Sequence, residues 1–463
     1  MKLVYNVNEK PKFGQLLIFA FQQLLAILAA TILVPSLINQ NVGSEMSQAA
    51  ALFGAGVGTI VYLLFTKFKS PVFLGSSFAF IGSMCAAFAG AASAAAGYAG
   101  FIIGAVLAGL VYVIIAIIVK FAGVKWINKI MPAVVIGPTV AIIGLSLANN
   151  AIKQVLDFPV WDPNSSAFIM DTHAVISLIC AIITLLAVVI ASVFGKKMAK
   201  LIPFIIGILV GYAVACLFTW IGETANNEAL KLVDFSALKE ITVLKVPDFT
   251  FTKAIDGLGD IKMPYIATLA IAYIPVAFVV FAEHIADHKN LSSVIEKDLL
   301  EDPGLDKTLL GDGVGSMAGA IFGGCPNTTY GESVGCVAIT GNASILTIFT
   351  AAIMSMVISF IDPFVKFLAT IPNCVMGGVC ITLYGFIAVS GLKMLQPVDL
   401  NDNRNLFTAA SILIAGVGQM AFKFVFNVGE DQASIVITEV ACALILGIIV
   451  NLICSIKKNK KAE

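Results

Sequence analysis

The stretch Gly323-Gly324-Cys325-Pro326-Asn327-Thr328-Thr329-Tyr330-Gly331-Glu332-Ser333-Val334-Gly335 lies between two apolar runs, yet carries four glycines, a proline and a carboxylate. Such a segment is a poor continuous helix, because proline removes a donor and glycine favours turns. A second stretch earlier in the chain has the same character: Pro71-Val72-Phe73-Leu74-Gly75-Ser76-Ser77-Phe78-Ala79-Phe80 opens an apolar run with a proline, a glycine and a serine pair. That composition favours an extended or broken start.

What surrounds these breaks is a membrane protein. Hydrophobic residues fill 59% of 463 positions and charged residues only 12%, with a mean hydropathy of +0.97. A soluble domain carries about a quarter charged residues, so the polar cover is half of what a water-facing surface requires. Net charge is zero, which leaves no basic face for nucleic acid. The nine cysteines are scattered without a CxxC pair and read as small buried hydrophobes. The first apolar run, about 16–37, is too long for a signal h-region and is the first span.

Windows of about 20 residues, matched to the hydrocarbon core, give fourteen candidate spans: 15–38, 49–66, 71–90, 99–120, 131–150, 173–194, 201–221, 263–286, 309–324, 328–341, 344–361, 371–391, 405–423 and 432–454. The weakest are 309–324 and 328–341. With this count 20 of the 28 basic residues fall on one side of the membrane. The positive-inside rule then places both termini in the cytoplasm. The one long polar loop, 222–262, lies outside and divides the chain into two halves of seven spans. An odd repeat flips its second copy, so this division predicts an inverted-topology repeat.

The broken stretches are third in their respective halves. Matched Gly/Pro-interrupted segments point to the central site of a transporter, since irregular backbone at membrane depth needs protein or a cavity to satisfy it. Intramembrane charge points the same way. Glu283 ends a long apolar run, Glu332 lies in the tenth span, and Asp287 follows Glu283 by one helical turn. A carboxylate at the bilayer centre costs at least about 2.5 kcal/mol, so such residues face the bundle interior. His284 and His288 flank the pair and mark the approach to the cytoplasmic end. The spacing of His284, Asp287 and His288 fits no standard zinc signature, and no metal or other cofactor is expected.

Half-helices beginning near Phe78 and Gly331 would present backbone N–H groups and a positive dipole end to carbonyl oxygens. Glu283 and Glu332 would accept ring N–H groups, and Phe78, Tyr330 and Tyr384 offer flat faces. This inventory suits a planar, amide-rich ring such as uracil. Burial favours the neutral form of a carboxyl group, the property a proton carrier needs, which directs cation coupling to Glu283 and Asp287.

At these residues the chain resembles the nucleobase–ascorbate transporter family. The resemblance rests on Leu74-Gly-Ser-Ser-Phe-Ala-Phe80, on Ala282-Glu283-His284-Ile285 with Asp287, and on Pro326-Asn-Thr-Thr-Tyr-Gly-Glu332. The last is closest to the bacterial uracil permease branch. The resemblance implies an all-α polytopic fold of fourteen spans in two inverted seven-span repeats, with short antiparallel strands in spans 3 and 10. It implies a core domain (1–125 and 263–370) and a gate domain (126–221 and 371–454). It also implies a substrate site of Ser77, Phe78, Glu283, Tyr330, Gly331, Glu332 and Tyr384. Glu283 and Glu332 would hold the ring nitrogens, and the N–H groups of Phe78 and Gly331 the carbonyls. The expected activity is symport of uracil with a proton into the cell across the cell membrane, by a homodimer working through alternating access.

The family commonly has Gln-His where this chain has Gln22-Gln23, and some proton-coupled relatives have histidine at the place of Asp287. Sodium is therefore the alternative coupling ion, and a purine, xanthine or urate permease the alternative within the family. An anion carrier of the related sulfate-transporter fold would keep acidic side chains from its substrate. The chain has no HExxH and no paired aspartates for intramembrane proteolysis, so an enzyme is not expected.

Overall fold

The computed structural model describes residues 3–123, 125–196, 198–239, 241–428 and 431–459. Lys2, Lys197, Lys460 and Lys461, counted above on the cytoplasmic side, lie outside the described residues. The chain is mostly helical. Its principal helices are α1 (Phe13–Val42), α2 (Gln48–Phe65), α3 (Ile81–Ala89), α4 (Ala94–Ala122), α5 (Ala133–Ser146), α6 (Thr172–Phe194), α7 (Pro203–Ala225) and α8 (Met263–Ile295). They are followed by α9 (Leu305–Phe322), α10 (Gly331–Thr340), α11 (Ile345–Ile358), α12 (Asn373–Lys393), α13 (Asn403–Val417) and α14 (Glu439–Asn459). Among the described residues eight helices are long and apolar enough to cross a membrane: α1, α2, α4, Ala133–Val155, α6, α7, α8 and α12.

Helix starts follow local capping chemistry. Ser47 accepts the N–H of Ala50, Ser93 that of Ala96 and Asp171 that of Ala174, each satisfying a donor that the first turn leaves without a partner. Both broken stretches contain strands. β1 (Leu74–Ser76) and β2 (Asn327–Thr329) pair antiparallel, with Leu74 opposite Thr329, Gly75 opposite Thr328 and Ser76 opposite Asn327. A short 3₁₀ turn at Phe78–Phe80 leads from β1 into α3, whereas β2 runs into α10 with Tyr330 between them.

The final span departs from its expected bounds. Two strands, β3 (Phe422–Val428) and β4 (Asp431–Ile437), pair antiparallel here, in register from Phe422 opposite Ile437 to Val428 opposite Asp431. The helix starts only at Glu439, not at 432. Phe422, Phe424 and Phe426 alternate with other residues at the strand period, and average hydropathy hides that alternation.

By contact density the chain forms two compact units. One comprises Met1–Ser146, Pro247–Val357 and Ile387–Glu463, the other Leu147–Val246 and Ile358–Phe386. In the second unit α6 packs on α7, where a Cβ on Gly211 would meet Thr184 Oγ1 at 1.9 Å. There Asp362 accepts from the backbone and hydroxyl of Thr242 at 2.8 and 2.9 Å. In the first unit α2 and α9 meet through glycines spaced four apart, Gly54 and Gly58 against Gly315 and Gly319. A Cβ on Gly58 would lie 2.8 Å from the Gly315 carbonyl oxygen, and one on Gly319 would lie 2.7 Å from that of Gly54. Small residues at this spacing let membrane helices approach backbone to backbone. The closeness brings β1, just after α2, beside β2, just after α9.

Candidate substrate site

The strand pair is anchored from several sides within the first unit. Thr59 of α2 accepts the Leu74 N–H at 2.9 Å, and the Ser316 hydroxyl of α9 accepts that of Asn327 at 2.9 Å. Beyond the paired residues, Ser77 N–H donates to Pro326 O at 3.0 Å and Tyr330 N–H to Phe73 O at 3.3 Å. The backbone polar groups that a broken membrane helix exposes are thus taken up by protein, as the absence of water there demands.

Tyr330 braces the crossing. Its ring lies where Gly75 has no side chain, since a Cβ there would come within 2.3 Å of the ring. Its hydroxyl donates to the Ser76 carbonyl at 2.8 Å and is approached by Thr31 of α1 at 3.5 Å. Tyr330 is buried, so the aromatic expected to line a pocket also fixes the end of β1. Ser333, one residue after Glu332, accepts the Phe73 N–H at 3.1 Å and the side-chain amide of Gln23. The glutamine at the first-span position thereby holds the start of α10.

The long helix α8 carries the other carboxylates. It continues to Ile295, which puts Glu283 twelve residues inside its C-terminal end. Glu283 and Glu332 are half-buried; Glu283 lies near enough to Asp287, Glu332 and Asp312 for their charges to interact, and Asp287 near enough to Glu332. Asp287 accepts from the Thr329 hydroxyl at 2.8 Å. Its other oxygen lies 3.7 Å from where a Cβ on Gly331 would sit. Asp287 therefore stands at the first turn of α10, where the helix dipole favours negative charge.

Of the residues singled out from sequence, Ser77, Phe78, Glu283, Asp287, Tyr330, Gly331 and Glu332 all belong to the first unit, in or beside the two crossings and α8. Ser77 and Phe78 are buried directly after β1. Tyr384 is buried on α12, in the second unit. His284 and His288 turn to partners other than Asp287. His284 Nδ1 lies 2.7 Å from Asp312 Oδ2, and His288 Nε2 lies 2.6 Å from the Tyr62 hydroxyl. Thr329, Ser333 and Asp312 were not singled out from sequence. Asp312 was open to the rule that found Glu283, because it is a carboxylate within an apolar helix; its glycine neighbours disguise it.

A sequence profile described as the permease family matches residues 14–424. The chain is 36% identical over 454 residues to the uracil permease of Bacillus caldolyticus, covering 98% of this chain and 95% of that protein. It is 33% identical over 452 residues to the uracil permease of Escherichia coli K12, covering 97% and 93%. Among solved structures, the transmembrane domain of the cyanobacterial bicarbonate transporter BicA aligns with a TM-score of 0.58 at 16% identity, covering 96% of this chain and all of that domain (100%). The murine anion transporter Solute Carrier 26 family member A9, in its inward-facing state, aligns with a TM-score of 0.65 at 11% identity, covering 97% of this chain and 69% of that one. At such identities these two likenesses concern the fold alone.

Proposed function

The chain belongs to the nucleobase–ascorbate transporter family and is a multi-pass membrane permease, and on that premise we propose that it imports uracil together with a proton. The observation that carries this reading is the gathering of Glu283, Asp287 and Glu332 around the start of a half-helix set on a buried strand pair. The two half-buried glutamates accept the ring N–H groups of the pyrimidine. Helix-start N–H groups near Phe78 and Gly331 receive its carbonyl oxygens, and Ser77 and Tyr330 complete the site within the first unit. A recognition set rich in buried polar groups discriminates well, because a ligand lacking one of its partners leaves a charge unsatisfied.

Glu283 and Asp287 carry the co-transported proton. Around them we place fourteen spans in two inverted seven-span repeats, a core of 1–125 and 263–370 and a gate of 126–221 and 371–454. Alternating access moves the first against the second, in a homodimer of the cell membrane with both termini in the cytoplasm. The fold neighbours named as anion carriers do not alter the substrate reading, because the charged side chains gathered at this site are acidic and would repel an anion.

The test is uptake of labelled uracil by cells expressing the full chain, under an imposed proton gradient and separately under an imposed sodium gradient. Saturable uptake driven by protons and abolished in Glu283→Gln is the expected result. Competition by xanthine but not by uracil would move the substrate to a purine, and drive by sodium alone would replace the proton.

A further inference from the structure

Behind the proposed substrate-facing carboxylates lies a second ionisable pair that the reading above does not use. His284 and Asp312 are 0% and 1% exposed. The ring's Nδ1 faces a carboxylate oxygen at 2.7 Å and its Nε2 faces Thr308 Oγ1 at 3.1 Å. The Thr308 hydroxyl itself donates to the Leu305 carbonyl at 3.2 Å, so its oxygen is left to accept from Nε2. Both ring nitrogens therefore face acceptors, the arrangement of an imidazole that carries two protons.

His288 has the complementary arrangement. Its Nδ1 donates to the His284 carbonyl at 2.8 Å, while its Nε2 lies against the hydroxyls of Tyr62 at 2.6 Å and Ser70 at 3.5 Å, as a neutral ring allows. The two rings stack 4.0 Å apart, a separation that opposes two positive charges. The stack thus has a place for one extra proton, shared between His284 and Asp312.

The ionisable groups that face this pair are Tyr112 from α4, Tyr62 from α2, and Glu283, Asp287 and His288 from α8, while Glu332 from α10 interacts with Glu283 and Asp287. Apart from His288 these are carboxyls and phenols. Without its extra proton the pair would be a net buried anion beside two further carboxyl groups, Glu283 and Asp287, an arrangement that burial strongly disfavours. The second oxygen of Asp312 is buried without a hydrogen-bond partner, which adds to that cost. Since Glu283 and Asp312 interact electrostatically, what binds at Glu283 changes how tightly the pair holds its proton.

We propose that His284 and Asp312 form a second proton-binding site, which takes up and releases one proton per transport cycle in addition to the proton carried at Glu283 and Asp287. This rests on the proton-coupled reading of the site. The step is a plain protonation: the pair gains H⁺ as it passes from one negative charge to none, and no other bond changes.

The experiment uses the purified full chain in liposomes, measuring labelled uracil entry together with internal acidification from a trapped dye. The parent is compared with Asp312→Asn and His284→Gln, and uracil binding is measured separately. Both variants are expected to bind uracil within about tenfold of the parent, to move about one proton fewer per uracil, and to show a flatter dependence of uptake between about pH 5 and 8. Variants that bind uracil and keep the parent's proton count and pH profile would overturn the second site. Should either variant fail to fold, Tyr112→Phe changes the surroundings of the pair without removing it. A shifted pH profile with an unchanged proton count supports the proposal, and an unshifted one counts against it. A parent that takes up uracil without protons would sink the proton-coupled reading and the second site together, whereas a proton-coupled parent with unaltered variants sinks only the second site.

Discussion

The two broken crossings are built alike and loaded differently. Each has a three-residue strand followed at once by a helix start, and each strand completes the other's hydrogen bonds. The first, Leu74 to Ala89, carries no charged side chain, and its polar groups are hydroxyls. The second, Asn327 to Thr340, carries Glu332, touches Asp287 through Thr329 and is tied to α1 through Ser333 and Gln23. The shared strands supply a frame, and one crossing alone carries the charge. Geometry and chemistry can therefore be perturbed separately.

The largest effect is expected where that asymmetry is removed. Glu332→Gln gives up a charge-assisted acceptor worth about 1.5–3 kcal/mol, so uracil affinity should fall by about 10- to 150-fold. Ser77→Ala in the first crossing should change it by no more than a few-fold. Titrating both variants with labelled uracil decides the matter, and equal losses would mean that the first crossing is loaded too.

A second comparison uses the glycines. Gly75→Ala drives a methyl group to within 2.3 Å of the Tyr330 ring and should cost about 1–3 kcal/mol as an overpacked core. Gly331→Ala meets only Asp287 Oδ1, at 3.7 Å, and should leave the melting temperature of the detergent-solubilised protein nearly unchanged. A third change, Tyr330→Phe, leaves the Ser76 carbonyl without its 2.8 Å donor, at about 1–3 kcal/mol. It should lower thermal stability more than Thr31→Val, whose contact is longer.

The smallest effect lies at the edge of the first crossing. Lys69 and Lys297 hold the Asp302 carboxyl at about 2, against its ordinary 3.8. A carboxyl lowered in the folded state adds stability above its unfolded value, and the gain is lost as pH falls through the folded one. Melting temperatures of the parent and Asp302→Asn should therefore differ slightly above about pH 4 and converge towards pH 2. The groups are nearly half exposed, so the difference is small.

Much of the frame was legible because its signals are local. Proline and glycine mark where helices break, and a carboxylate in an apolar run marks where a bundle has a polar interior. Glu283 and Asp287 share a helical face by spacing alone. The partners of these residues were not legible. Asp312 pairs with a histidine 28 positions away, and no periodicity links α8 to α9. Tyr330 could be read as aromatic, but its bond to Ser76 depends on a register between strands far apart in the chain. The strand pair of Phe422–Val428 with Asp431–Ile437 was absorbed into two apolar windows, since hydropathy averaging erases a period of two.

Pairing Ser76 with Asn327 also sets a delay during biogenesis. About 250 residues separate the two strands, and at ribosomal speeds of about 5–20 residues per second the second emerges roughly 12–50 s after the first. For that interval Leu74–Ser76 lacks the partner that satisfies its backbone, in a setting where such groups are costly. The nascent first half must therefore wait in a sheltered, partly hydrated place, and a chain truncated before β2 should be a substrate for membrane quality control.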